Sequence, residues 1–266
     1  MKPNIAQSTT GNLLALLLMM LPTTAYTQDD SEQWISLFNG SDLSNWIPKF
    51  TGHELGVNYR DTFRVEDGIL KVSYDNWQDF DGEFGHIFYD ESFSHYKLLV
   101  EYRFAGAQVR NGPDWAFRNN GVMLHGQSPQ SMTLEQEFPA SIEVQLLGGN
   151  GVDERATANV CSPGTHYVRD GELVTQHCIN SSSDTFHGDQ WVTLEVEVRG
   201  DELIRHTVNG EVVFEYSRTQ LDESDPDAQN LISQGQPIAV SEGYISLQAE
   251  SHPTQFRRVE LLPLAH

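Results

Sequence analysis

Much of the chain alternates apolar and polar residues with a period of two. Val192, Leu194, Val196 and Val198 alternate with Thr193, Glu195 and Glu197; Leu98, Val100 and Tyr102 alternate with Leu99, Glu101 and Arg103. Such a period sends successive side chains to opposite faces of an extended chain, so both segments predict strands with one face toward a core. The same reading predicts strands at residues 34–38, 62–66, 69–74, 85–89, 203–208, 211–216, 244–250 and 256–262. Asp67-Gly68 and Asn209-Gly210 join two of these pairs, and both suit the positive φ that a tight hairpin turn demands. No segment keeps a helical period over three turns. Short strands divided by Gly and Asn turns predict an all-β sandwich or barrel. There is no internal repeat and no composition break to mark a second domain.

Residues 119–149 carry the most chemistry. Val122 and Leu124 alternate with Met123 and His125; Ile142, Val144 and Leu146 alternate with Glu143, Gln145 and Leu147. With the branched residues inward, Met123, His125 and Gln127 share the outer face of one strand, and Glu143 and Gln145 that of the other. Neighbouring strands would then present an imidazole, a carboxylate and two amides on one surface. Residues 128–139 form a polar loop between them, expected to build part of a rim. Residues 105–118, with Trp115 and Phe117, read as a second loop. Residues 150–189 are the least regular stretch, and residues 217–239 are expected to wrap the surface.

The formal net charge of -22 turns the chain away from nucleic acid and anionic lipid. It fits a protein acting on neutral substrates, and solubility alone is the plainer explanation. Lys2, the apolar run at residues 13–21 and small residues around Ala25 have the layout of a signal peptide over residues 1–27. A single domain over 28–266 is expected to follow, secreted or periplasmic, with no stable membrane insertion once the leader is cleaved. In an oxidising compartment the only two cysteines, Cys161 and Cys178, are expected to form a disulfide.

The strand Glu143-Val144-Gln145-Leu146-Leu147-Gly148 has one carboxylate where a retaining β-glycanase strand would carry more. A two-carboxylate mechanism on this strand is therefore poorly supported. What remains is Glu143 with His125, as general base and general acid. The ordinary alternatives are a solvated sheet glutamate and a hydrogen-bonded sheet histidine. His166 and His177 could join Glu143 or His125 around a divalent metal, although their spacing matches no strong metal motif. No other cofactor is called for. Trp77, Trp115 and Tyr167 could stack on sugar rings or simply pack in the core. There is no phosphate-binding glycine loop and no nucleophile elbow.

Several stretches, in this order, resemble one known family. They are Trp34-Ile35-Ser36-Leu37-Phe38-Asn39-Gly40 with Leu43 and Trp46; Phe63-Arg64-Val65-Glu66-Asp67-Gly68-Ile69-Leu70; and residues 96–103. Then come Asn120-Gly121-Val122, Ile142-Glu143-Val144-Gln145, His206 with Val208-Asn209-Gly210, residues 243–250, and Phe256-Arg257. Over about residues 33–263 the chain resembles the 3-keto-disaccharide hydrolase domain family. That resemblance implies a concanavalin A-like jelly-roll β-sandwich of two antiparallel sheets. It also implies action on sugars oxidised at C3, as a 3-keto-glucoside 1,2-lyase, a 3-keto-2-hydroxyglucal hydratase or a net hydrolase. The ketone acidifies the C2 proton, so one base and one acid suffice and no nucleophilic carboxylate is needed. Glu143 or His125 is expected as the base, with Asn120, Gln127, Gln145, His166, Gln248 and Glu250 as carbohydrate contacts. The chain departs from the family at Asn119-Asn120-Gly121, where Asn-Ser-Gly is common, and at His125, where Arg is frequent. A non-catalytic carbohydrate-binding module and a structural domain of an exported assembly are the competing readings.

Overall fold

A computed structural model of the chain describes residues 33–265 together with Met1 and Pro3. Apart from those two residues, the leader expected at 1–27 lies outside the described residues. In chain order the strands are β1 (Ile35–Ser36), β2 (Trp46–Phe50), β3 (Phe63–Glu66), β4 (Ile69–Val72), β5 (Gly85–Phe93), β6 (His95–Phe104), β7 (Asn119–Gly126), β8 (Ile142–Leu147) and β9 (Asn159–Cys161). They continue as β10 (Thr165–Arg169), β11 (Glu172–Val174), β12 (Cys178–Ile179), β13 (Val192–Arg199), β14 (Leu203–Val208), β15 (Glu211–Leu221), β16 (Gly243–Ala249) and β17 (Thr254–Pro263). The larger sheet runs β11-β10-β15-β14-β13-β6-β17-β4-β3, with β1 paired to β17; the smaller runs β12-β9-β8-β7-β16-β5-β2. The strands within each sheet pair antiparallel, giving the two-sheet sandwich that the alternation and the resemblance both anticipate.

The core is one apolar cluster between the sheets. The larger sheet contributes Tyr96, Leu98 and Val100 from β6, Val192 to Val198 at alternate positions of β13, and Val259 and Leu261 from β17. The smaller sheet contributes Val122 and Leu124 from β7, Ile142, Val144 and Leu146 from β8, and Ile245, Leu247 and Ala249 from β16. Burying each such branched side chain is worth about 1.5–3 kcal/mol. This burial fixes register, because a one-residue slip would turn the whole apolar row outward.

Several segments differ from the sequence reading, each for a local reason. Residues 34–38 contribute only the two-residue β1; Leu37 and Phe38 are buried beyond it, and both backbone amides donate to the Val259 carbonyl. Residues 46–50 form β2 despite Pro48, because β2 is the outermost strand of its sheet and an edge strand tolerates a missing N–H. In the 217–239 stretch, β15 continues to Leu221 and a helix α1 (Pro226–Ser233) follows. Asp225 caps that helix, accepting from the amides of Asp227 and Ala228, and Pro226 fits its first turn. Eight residues are too few to display a helical period. The irregular 150–189 region contains β9 to β12, and Cys161 bonds to Cys178 across the β9–β12 pair. Among the described residues no helix is long and apolar enough to cross a membrane.

Candidate active site

The face of the smaller sheet turned away from the core is polar. Lys49 on β2, His86 on β5 and Gln248 on β16 lie directly across from one another. Their row continues through Gly121 on β7 to Gln145 on β8 and Asn159 on β9. The adjacent row holds Phe88, Ser246, Met123, Glu143 and Cys161. Glu250 follows β16 directly, two positions beyond Gln248 and of the same parity. Aromatic residues of the two flanking loops pack against this face. Phe138 meets His86 edge-on at 5.8 Å, and Trp115, itself exposed, stacks on Phe84 at 5.7 Å.

Gly121 makes room for two side chains from opposite neighbours. A Cβ there would lie 2.4 Å from Gln248 Oε1 and 2.6 Å from Glu143 Oε1. The missing side chain thus lets a carboxylate and an amide converge over its Cα. The surrounding polar atoms are buried without hydrogen-bond partners: Glu143 Oε1, both ends of the Gln248 amide, Glu250 Oε2, both nitrogens of His86, and Ser246 Oγ. Buried polar atoms are nearly always partnered, and each orphan costs about 1–3 kcal/mol. So many on one face make it the candidate site among the described residues.

The electrostatics single out two carboxylates. Burial, and then the charge of Glu250, hold Glu143 well above the usual carboxylate range. Burial raises Glu250 to about 8. Two like charges in a desolvated site resist joint ionisation, so near neutral pH the pair keeps at least one proton and titrates as a unit. His86 is pushed down to about 3 by burial and by Lys49. Just past Glu250, Ser251 holds φ of 95°, and its amide donates to the Tyr74 hydroxyl at 2.7 Å. His252 follows, buried edge-on against Phe104 and Phe117, with burial lowering it to about 4.

The expected partner of Glu143 is elsewhere. His125 has φ of 51° and sits at a bulge: from Ser246 to Tyr244 β16 advances two residues, while β7 advances three, from Met123 to Gly126. The extra residue breaks the alternation and re-aims the side chain. The His125 Nε2 lies 3.0 Å from the Gly200 carbonyl, beyond β13 of the opposite sheet. Burial lowers this imidazole to about 4, and the ionisable groups that act on it are Asp201 and His95, not Glu143. The structure therefore does not bring His125 to Glu143; the groups it places near that carboxyl are Glu250 and Gln248.

Other expected contacts divide in the same way. Asn120 faces the sandwich interior, donating to the Gln248 carbonyl at 2.8 Å and to Thr254 Oγ1 at 3.3 Å. Gln127 organises the rim loop by accepting from the Ala140 and Gln136 nitrogens. Gln145 lies on the polar face and accepts from Asn159 at 3.0 Å. His166 pairs with Asp222 at 3.3 Å and, with His177, lines a separate cavity of about 590 Å³ that Glu143 does not reach. Among the described residues, no three His, Cys, Asp or Glu side chains are grouped to hold a metal ion. Trp77 and Tyr167 are core residues, while Trp115 remains exposed. Lys49, His86 and His252 were absent from the sequence-based site. His86 alone had left a signal, as the polar residue between Gly85 and Ile87 on an alternating strand.

Residues 33–262 match the family described as 3-keto-alpha-glucoside-1,2-lyase-like domain. No curated protein matches the chain. A Parabacteroides distasonis protein provisionally designated a glycosyl hydrolase superposes with a TM-score of 0.52 at 17% identity, over 88% of this chain and 95% of its own. A Bacillus subtilis protein of unknown function with a galectin-like fold gives 0.51 at 10% identity, over 87% and 94%. At these identities the solved structures show a shared fold.

Proposed function

The chain belongs to the 3-keto-alpha-glucoside-1,2-lyase-like domain family, and from that membership we propose an exported enzyme that cleaves the glycosidic bond of 3-keto glycosides by elimination. The family supports a carbohydrate-active enzyme. The observation that carries the finer reading is that Glu143 and Glu250 are both buried on the polar sheet face and that the charge of Glu250 acts on Glu143. An ionised member accepts the C2 proton, which the C3 ketone has made acidic. The protonated member gives its proton to the glycosidic oxygen. The C2–H electron pair ends in a C1=C2 double bond, the C1–O bond breaks, and the aglycone leaves as an alcohol. The two carboxyl groups have then exchanged roles. Water adding across C1=C2 would complete a net hydrolysis. Gln248 and Gln145 supply hydrogen bonds to sugar hydroxyls. The leader-like N-terminus and the Cys161–Cys178 bond support export to a secreted or periplasmic location.

The test pairs a 3-keto glycoside with its unoxidised parent. Aglycone should appear only from the oxidised compound, and Glu143→Gln should slow release by about 10²–10⁴ while leaving the circular dichroism spectrum unchanged. Tight binding of the parent glycan that survives Glu143→Gln, with no release from either compound, would instead assign a carbohydrate-binding module.

A further inference from the structure

His86 occupies a distinct place on the polar face. Its cross-strand neighbours are Lys49 on one side and Gln248 on the other. The ring is 1% exposed, and neither nitrogen has a partner. Phe138 and Phe88 touch the ring and offer no hydrogen bond. Lys49 Nζ is committed to the carbonyls of Phe50 at 2.7 Å and Leu134 at 2.9 Å. The face is thereby polarised. Lys49 lies on one side of His86 and Gln248 on the other; Glu143 meets Gln248 over Gly121, and Glu250 lies two residues along from Gln248. A cation alongside disfavours a second proton on the imidazole, so the ring meets a ligand as a neutral group with one N–H to donate.

Building on the elimination proposed above, we infer that His86 donates this N–H to the C3 carbonyl oxygen of the 3-keto sugar and stabilises the enolate formed as the C2 proton leaves. The C2–H electron pair moves into a C2=C3 bond, and the C3 oxygen takes the negative charge. When that charge returns to the carbonyl, the C1=C2 bond forms and the C1–O bond breaks. A donor fixed where charge develops stabilises the transition state more than the ground state. A C3 hydroxyl cannot take up the charge, so the contact selects oxidised sugars. It also sets orientation: C3 toward Lys49 and C2 toward the carboxylates. Phe138 must swing off the ring as the sugar enters.

The probe is 1,5-anhydro-3-keto-glucitol, which has the ketone and the C2 proton but no aglycone. In D2O the wild type should exchange its C2 proton, followed by NMR. His86→Ala should exchange about 100-fold more slowly while binding the probe within about tenfold of the wild type. His86→Gln, which restores an N–H, should recover part of the rate. His86→Phe keeps the ring volume and serves the same comparison if the alanine variant does not fold. Exchange by His86→Ala within threefold of the wild type overturns the inference. So does aglycone release from a true substrate with no C2 exchange by the wild type, and that result leaves the elimination itself standing. A wild type showing neither exchange nor release overturns both.

Discussion

Glu143 and Gln248 approach each other over the Cα of Gly121, their Oε1 atoms 2.6 and 2.4 Å from where a Cβ would sit. The contact depends on a residue with no chemistry of its own. Gly121→Ala should push both side chains aside. Overpacking a filled site costs about 1–3 kcal/mol, and turnover should fall further than stability because the displaced groups are the ones proposed to act on the sugar. Thermal denaturation beside a 3-keto glycoside assay checks this. An alanine variant with wild-type kinetics would mean that the geometry above Gly121 is immaterial to the reaction.

Glu143→Gln replaces a buried carboxyl by a neutral group of the same shape. The fold should survive and gain stability at high pH, since no charge has to be held in a desolvated site. Turnover should drop by about 10²–10⁴, the usual contribution of a positioned acid or base. In the wild type the rising limb of the pH–rate profile should lie well above the ordinary glutamate range, because burial and Glu250 hold Glu143 there. A limb centred near pH 4.5 would show that another group is the base.

Glu250 links the site to stability. Its pKa rises from 4.5 to about 8 on folding, chiefly through burial. The folded protein therefore retains a proton that the unfolded chain releases between those values. The associated stability is complete below pH 4.5 and is lost as pH rises through 8. His86, His125, His206 and His252 are shifted down to between about 3 and 4, so they act in the opposite sense and at lower pH. Glu250→Gln removes the Glu250 contribution and its push on Glu143, and leaves the histidine contributions in place. Relative to wild type, the variant should become steadily more stable from pH 5 to pH 9, measured by urea denaturation. Parallel curves would rule out a raised Glu250.

The sandwich was legible because its signals are local. The alternation in β6 and β13 and the Asp67-Gly68 and Asn209-Gly210 turns are set by neighbours in sequence. The face carrying Glu143 was legible for the same reason. Its partners were not. β8 carries one carboxylate, and the second in the proposed pair comes from beyond β16, about a hundred residues away, where only sheet order brings it across. His125 was misplaced because a one-residue bulge inverts parity without leaving a mark in composition. Burial of the polar face depends on Phe138 and its loop, which no periodicity encodes. The same pairing that hides the site also ties it to the disulfide.

Cys161 stands directly across from Glu143 in the β8–β9 pair and bonds to Cys178 on β12. Closing a loop with a sequence separation of 17 contributes about 3 kcal/mol in the chain-entropy model. Reduction, or Cys161→Ala with Cys178→Ala, should lower the melting temperature by several degrees. Activity below the transition should fall less than stability does, since the sulfurs neighbour Glu143 across the β8–β9 pair but take no part in the proposed reaction. Identical melts with and without reductant would show that the bond adds nothing to stability.

His125 gives the clearest separation between the sequence reading and the structure. Its ring bonds the Gly200 carbonyl of the opposite sheet and lies apart from the two carboxylates. If it were the acid paired with Glu143, His125→Asn would reduce turnover by orders of magnitude. The bulge geometry gives another outcome. The variant loses a buried hydrogen bond and leaves a carbonyl unpartnered, at a cost of about 1–3 kcal/mol. The backbone at this position has positive φ, which asparagine accepts more readily than most residues, so the bulge itself should persist. The melting temperature should therefore fall while kcat at a temperature well below the transition stays within a few-fold of wild type. A hundredfold loss of kcat in a folded His125→Asn protein would return the imidazole to the chemistry and displace Glu250 from it.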